Sequence, residues 1–600
     1  MLHFSIPRLS KRTSLLTAVL LSGILFISIL FLYQCTRSED ARFEDYTEAL
    51  FRQEVSGNAI TLHYTLKDPS VYQIHKTPLT LGQVSTDTIA MGAAAENALS
   101  GLHTFDVSRL SPENQLIYEL LEDSFNTSHK MAPYALYEEP LSPLTGTQAQ
   151  LPILLSEYQF YSMKDVTTYL KLLKEMPTYF QAILDFERAK ADAGLFMSAD
   201  RAAAVIEECK AFISMGKNHY LHTTFESRLK ALLETDSPDD SGSLATINSP
   251  EAQHLIAENA ACIEDYVYPA YELLMKGLSE LLGTCENENG LCHFPEGKAY
   301  YELLVQEVTG SDRTILELET LSYKQIIEDI EGMQEVLDNA MDASNANTGV
   351  SDLNHLLEDS NPSSILTALQ EKLAGSFPPP PSVDIDIKYV EESMEDYLSP
   401  AFYLIPAIDN SKENIIYINP QHMNDDLTLF TTLAHEGYPG HLYQTTYFNN
   451  QNPAPLRSLL GCGGYTEGWA TYCEMMSYYF APVSKDEATL LQKNASVMLG
   501  LYALADMGIH YEGWTLSDTI HFFSDYGLYD EKAIEEIYHL ILGDPANYLK
   551  YYIGYLEFLE LKKAAISSWG DAFSQKRFHQ EILEIGPAPF RMLRERMLEE

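Results

Sequence analysis

Apolar residues recur at three- and four-residue spacing along most of this chain. Val166–Leu184, Arg201–Met215, Tyr323–Leu337 and Ile534–Leu542 show it most clearly. That is the period of an amphipathic helix with one stripe turned to a core. Strict alternation is rare. It occurs in Val383–Tyr389, while Ile415–Ile418 is a short continuous apolar run, and both predict short strands. No self-similarity at a period of about 20 to 50 residues is present, which argues against a solenoid. The pattern predicts a mainly α protein with few short strands.

Three stretches break the helical period. Asp236–Ser243 is acidic and serine-rich, Asp342–Ser351 is rich in Ala, Ser and Asn, and Phe377–Pro381 holds four consecutive prolines. Proline has no N–H and a fixed φ, so the last of these cannot lie inside a helix. Each is expected to be a linker or surface loop. The prolines divide an N-terminal helical part, 36–376, from a C-terminal helical part, 382–600. The two are expected to form one continuous catalytic domain.

The N-terminus carries a different signal. Arg8, Lys11 and Arg12 precede an uncharged apolar run from Ser14 to Tyr33, and Glu39 and Asp40 follow it. Such a run is long enough to cross a hydrocarbon core of about 30 Å. The basic flank predicts a cytoplasmic segment 1–13, a membrane segment 14–34 and an exported body. Two readings stay open. The segment remains as a signal anchor, or it is a lipoprotein signal with Cys35 as the lipidation site. Tyr33 and Gln34 stand where a lipoprotein signal usually has small residues. The other six cysteines (Cys209, Cys262, Cys285, Cys292, Cys462 and Cys473) permit disulfides in an exported body. Cys285 and Cys292, flanking a polar loop, are the expected pair.

Composition narrows the function classes. The chain has 600 residues, 46% of them hydrophobic, which is enough for a large core. Lys and Arg total 39 and Asp and Glu total 86, so the net charge is −47. Binding to nucleic acid by bulk electrostatics is excluded, because phosphates require the opposite sign. The charge reads as a solubilising acidic surface, with a preference for cationic substrates as the alternative. Nothing in the sequence sets an oligomeric state.

The chemistry concentrates in the C-terminal part. His435-Glu436-Gly437-Tyr438-Pro439-Gly440-His441 follows the helix-like run Leu427–Ala434. Two histidines beside a glutamate suggest a zinc hydrolase, in which imidazoles hold the metal and a carboxylate handles water's proton. The histidines are six residues apart, about 120° around an ideal helix, so an unbroken helix could not aim both at one ion. Pro439 disfavours a helical Tyr438 and Gly440 permits unusual dihedrals. The helix is therefore expected to break and return His441 to His435. Downstream, Glu467 and Glu474 are seven residues apart and share a helical face. Glu467 is the candidate third metal ligand, and Glu474 the carboxylate that orients a ligand imidazole. Asp506 and His510 are four apart. The pair is either an aspartate-oriented histidine acting on substrate or a structural hydrogen bond. Tyr551, Tyr552 and Tyr555 offer hydroxyl donors, among 38 tyrosines in all. No G-x-S-x-G signature of a serine hydrolase is present.

These clusters carry a resemblance. The chain resembles the bacterial "domain of unknown function 885" family through FPEGKAYY at 294–301, HEGYPGH at 435–441, TEGWATYCE at 466–474, DMGIHYEGW at 506–514, YYIG at 551–554 and FHQEILEIGPAP at 578–589. That family is similar to the helical gluzincin metallopeptidases. The resemblance implies a helical fold around a central cleft and one zinc ion held by His435, His441 and Glu467. It implies Glu436 as general base, with His510 and Tyr551 in substrate or transition-state contacts. Tyr438, Tyr552 and Lys562 are further candidate substrate contacts, the last replacing an arginine common in the family. The implied activity is that of an exported, membrane-anchored zinc peptidase acting on peptides or small proteins. A zinc amidase of cell-wall peptides and a non-catalytic binding protein on a peptidase scaffold are the alternatives.

Overall fold

The computed structural model describes residues 38–598 apart from 144, 236–245, 343–352, 391, 393–394 and 396–397. The expected membrane segment, Cys35, all of Asp236–Ser243 and nearly all of Asp342–Ser351 lie outside the described residues. Among the described residues no helix is long and apolar enough to cross a membrane.

Of the described residues, 71% are helical and 3% are in strands, so the cores form by helix-on-helix packing. The long amphipathic periods become α1 (Met163–Asp192), α2 (Ala199–Ser214) and α3 (Ile315–Asp342). One small sheet follows: β1 (Asp384–Tyr389), β2 (Ala401–Leu404) and β3 (Glu413–Ile418), in the order β1-β3-β2. β3 pairs parallel with β1 and antiparallel with β2. Its apolar run reflects burial on both faces. Ile416 and Ile418 join the core of the C-terminal half, whereas Ile415 and Tyr417 pack against a second core built from α1, α2 and their neighbours.

The C-terminal core is assembled from α4 (Asp426–Glu436), α5 (His441–Asn449), α6 (Gly463–Ser477), α7 (Lys485–Met507), α8 (Asn547–Trp569) and α9 (Gln575–Ile585). It also buries Leu116, Tyr301 and Val305 from the N-terminal half. Of Phe377–Pro381, expected as a linker or surface loop, Phe377 and Pro378 pack into this core, while Pro379 is exposed. Phe377 is buried and stacks on His579 with ring centroids 4.0 Å apart. The carbonyl of Ser376 pairs with His579 Nδ1 at 2.7 Å, and that of Pro378 accepts from the Tyr443 hydroxyl at 2.7 Å. Proline-rich backbone keeps its carbonyls free, and here side chains of the core take them up.

Cys285 and Cys292 do not pair. All six described cysteines are free thiols, and these two donate to the carbonyls of Asn287 and Ile509. Cys209, Cys262, Cys462 and Cys473 are buried small apolar groups.

α6 and α8 cross with backbone against backbone. A Cβ on Gly468 would lie 2.4 Å from the Gly554 carbonyl carbon, and one on Gly554 would lie 2.3 Å from the Gly464 carbonyl oxygen. Only glycine tolerates this approach. Gly554→Leu should therefore destabilise the chain by about 2 kcal/mol or more, through overpacking. Thermal melts would show it against Gly283→Ala, where the added Cβ meets nothing within 4 Å and no loss is expected.

Candidate metal centre

α4 ends at Glu436. Gly437 leaves the helix at φ −110° and ψ −101°, Gly440 follows at φ −77° and ψ −134°, and α5 begins at His441. The break lets the chain double back tightly. The Gly440 N–H donates to the Ala434 carbonyl at 2.9 Å, and a Cβ on Gly440 would lie 1.7 Å from the His435 carbonyl oxygen. The turn is also fastened to α6. The Pro439 carbonyl accepts from Trp469 Nε1 at 2.9 Å and from the Cys473 thiol at 3.4 Å. Gln444 Nε2 donates to the Tyr465 carbonyl at 3.2 Å.

This arrangement brings His435, His441 and Glu467 together. One ligand atom of each lies within 4.8 Å of the other two, and no other such trio of His, Cys, Asp or Glu occurs among the described residues. The rings of His435 and His441 are 4.8 Å apart and nearly perpendicular. Glu467 Oε2 stands 3.2 Å from His441 Nε2 and 3.7 Å from His435 Nε2. A tetrahedral zinc ion with bonds of about 2.1 Å sets its ligand atoms about 3.4 Å apart, so these positions fit one. Two imidazoles and one carboxylate, without thiolate, also suit zinc. Glu474 Oε2 lies 2.9 Å from His435 Nδ1, which commits that nitrogen and leaves Nε2 facing inward.

Electrostatics follow from this packing. Burial alone would make His435 harder to protonate, but its hydrogen bonds to Glu467 and Glu474 outweigh burial and raise its pKa well above that of free imidazole. For Glu467, burial favours the neutral acid, and the two imidazoles outweigh it and hold the carboxyl far below its usual range. Tyr551, on α8 one turn before Gly554, has its ring 6.4 Å from that of His435. Burial, then the charges of Glu467 and Glu436, push its pKa up, so its hydroxyl keeps its proton.

Glu436 is buried, with Oε2 accepting the Tyr403 N–H at 2.8 Å. β2 is an edge strand, so this N–H points away from the sheet. The contact had no signal in the sequence. It uses backbone, and β2 is four residues with no clear alternation.

Other candidates lie elsewhere. The rings of Tyr301 and His510 stack with centroids 5.6 Å apart. His510 Nδ1 accepts the Leu291 N–H at 3.2 Å and Nε2 faces the Ile541 carbonyl at 2.9 Å. Burial lowers its pKa to about 4. It is a neutral histidine that ties its own π-helical turn to Leu291 and to the end of the helix Glu531–Gly543, with no free nitrogen for a substrate. Asp506 does not orient it. Its oxygens accept the Ala546 N–H at 3.0 Å and the Tyr301 hydroxyl, and burial raises its pKa to about 8. Tyr438 and Tyr552 are core side chains, 2% and 0% exposed, so neither is open to a substrate. Lys562 Nζ donates to the Tyr472 hydroxyl at 3.1 Å, in a cluster with Gln575 and His579.

Residues 80–597 match the family described as bacterial protein of unknown function, DUF885. The chain belongs to that family. Among solved structures it is similar to a "putative lipoprotein" from Colwellia psychrerythraea, with TM-score 0.76 and 20% identity over 93% of this chain and 98% of that one. It is also similar to a "putative lipoprotein of unknown function" from Shewanella oneidensis, with TM-score 0.63 and 17% identity over 94% and 100% of the chains. These likenesses share the fold. No curated protein matches.

If this site holds zinc, the ion would take up neutral imidazole and displace the proton that Glu467 and Glu474 favour on His435. Calorimetric titration in two buffers of different ionisation enthalpy should show proton release at neutral pH, with affinity weakening as pH falls. Glu474→Ala should weaken zinc binding by about 10- to 100-fold.

Proposed function

We propose that this protein is a zinc-dependent peptidase, exported and held at the membrane by its N-terminal segment. The observation that carries the reading is the convergence of His435, His441 and Glu467, with Glu436 next to His435 at the end of α4. A catalytic zinc site has three protein ligands and one open position, and this set supplies three. When bound, zinc would supply a Lewis acid that polarises a carbonyl and makes water more acidic.

The protein's own groups do the rest. Glu436 takes the proton of the attacking water and delivers it to the departing amine. The Tyr403 N–H holds one of its oxygens in place and leaves the other for that exchange. Tyr551, kept protonated by burial beside two carboxylates, donates to the oxyanion that develops on the scissile carbonyl. The Pro439 anchor and the glycine crossing of α6 with α8 fix the distances among these groups before any substrate arrives. Export is supported by the basic flank and apolar run of residues 8–33. Two proteins of similar fold, each described as a "putative lipoprotein", agree with it.

Glu436→Gln should keep the metal and lose about 10²- to 10⁴-fold in kcat on peptides. Tyr551→Phe should also lower kcat, with KM changing less. Single-turnover assays of zinc-loaded variants check both, and full activity in Glu436→Gln would remove that residue from the reaction.

A further inference from the structure

Asp506 is fully buried near the end of α7, and His510, its expected partner, is turned to backbone groups. What the carboxyl holds instead is the start of α8. Both of its oxygens accept the Ala546 N–H at 3.0 Å, and Oδ1 also accepts the hydroxyl of Tyr301, on the helix Gly297–Thr309. Ala546 is the N-cap of α8. It stands at φ +65°, in the left-handed region that alanine rarely adopts, and no side chain at that position caps the helix. Such a conformation costs free energy and persists only where its surroundings fix it. The bonds to Asp506 are one such constraint. The loop before it is fastened too, since the Gly543 carbonyl accepts from Ser142 Oγ at 2.6 Å and from Arg201 Nη2 at 3.3 Å.

Tyr551 therefore lies between two fixed points of α8. Gly554, three residues on, is pressed against Gly464 and Gly468 of α6. Ala546, five residues back, is bonded to Asp506. At about 1.5 Å per residue these anchors are about 4.5 and 7.5 Å away along the helix. The glycine crossing fixes where α8 passes α6, but the first turns of α8 extend beyond that point and need an anchor of their own. α7 supplies it twice, one turn apart: Tyr502 stacks on Tyr548 with ring centroids 5.1 Å apart, and Asp506 holds Ala546. The clamp survives either protonation state of Asp506. As a carboxylate it accepts from both donors, and as an acid it gives its proton to the Tyr301 oxygen and still accepts from Ala546.

We propose that Asp506 is a positioning residue for Tyr551, pinning the start of α8 so that the Tyr551 ring keeps its place beside His435. The proposal rests on the peptidase reading for its effect on a reaction, and it deepens that reading by naming what holds the oxyanion donor. Asp506 touches neither substrate nor metal ligands in this account. It acts through the backbone of Ala546, and a shift of about 1 Å in a group that meets the transition state is enough to cost rate.

The test is steady-state peptide cleavage by the zinc-loaded full chain in detergent. Asp506→Ala should lower kcat about 10- to 100-fold, with KM within about twofold. In the Tyr551→Phe background the same substitution should cost no more than about twofold, because the hydroxyl it positions is gone. Asp506→Asn keeps a carbonyl for the Ala546 N–H and should recover most of the loss. Tyr301→Phe, which takes one hydroxyl from the clamp, decides the matter if Asp506→Ala does not fold. Its smaller loss, about threefold, should likewise vanish in Tyr551→Phe. Equal losses with and without the Tyr551 hydroxyl, or no loss at all, overturn the proposal. A second readout needs no turnover. The fluorine resonance of 3-fluorotyrosine placed at position 551 should shift or broaden in Asp506→Ala and stay in place in Gly283→Ala, and a resonance unmoved by Asp506→Ala overturns the proposal too. Failure of the peptidase reading shows separately, as no cleavage by the unsubstituted chain, and the fluorine signal then still tests the clamp.

Discussion

Two imidazoles six residues apart face one carboxylate because the chain leaves α4 after Glu436 and re-enters a helix at His441. The rest of the site depends on this fold-back. It requires a backbone approach that a Cβ on Gly440 would forbid, and it places the Pro439 carbonyl where Trp469 and Cys473 bind it. The turn is thereby indexed to α6, the helix that carries Glu467 and Glu474. The same interlock that positions His435, His441 and Glu467 also buries Trp469 and Cys473, so core packing and site geometry are one problem.

A second close approach completes the arrangement. Gly464 and Gly468 let α8 press against α6 at Gly554, and Tyr551 is thereby brought over His435. The edge strand β2 presents the Tyr403 N–H to Glu436. Helices, sheet edge and turn thus converge on one small volume from three directions. Groups held by rigid elements on several sides keep their spacing without help from substrate.

Much of the fold was legible because long helices and a doubly buried strand leave a periodic trace, as in Val166–Leu184 and Ile415–Ile418. β2 left none, being four residues whose role is carried by backbone. Within the site, the six-residue histidine spacing together with Pro439 and Gly440 placed the break, and the seven-residue spacing set Glu467 and Glu474 on one face. The Asp506–His510 pair shows where spacing misleads. The turn over Gly508–Glu512 widens to π-helical, which shifts side chains out of the four-residue register, and His510 turns to backbone partners instead. Tyr438 and Tyr552, candidate substrate contacts, are buried, because residue type says nothing about burial. Cysteine parity failed likewise, since an even count is equally compatible with buried thiols.

The central claim is that His435, His441 and Glu467 form a zinc site. Elemental analysis of the folded full chain after dialysis against dilute zinc tests it most directly, beside Glu467→Ala. About one zinc per chain, lost in the variant while its fold is kept, is the result this account requires. A folded wild-type chain without zinc, or a variant that binds as much as the wild type, would contradict it.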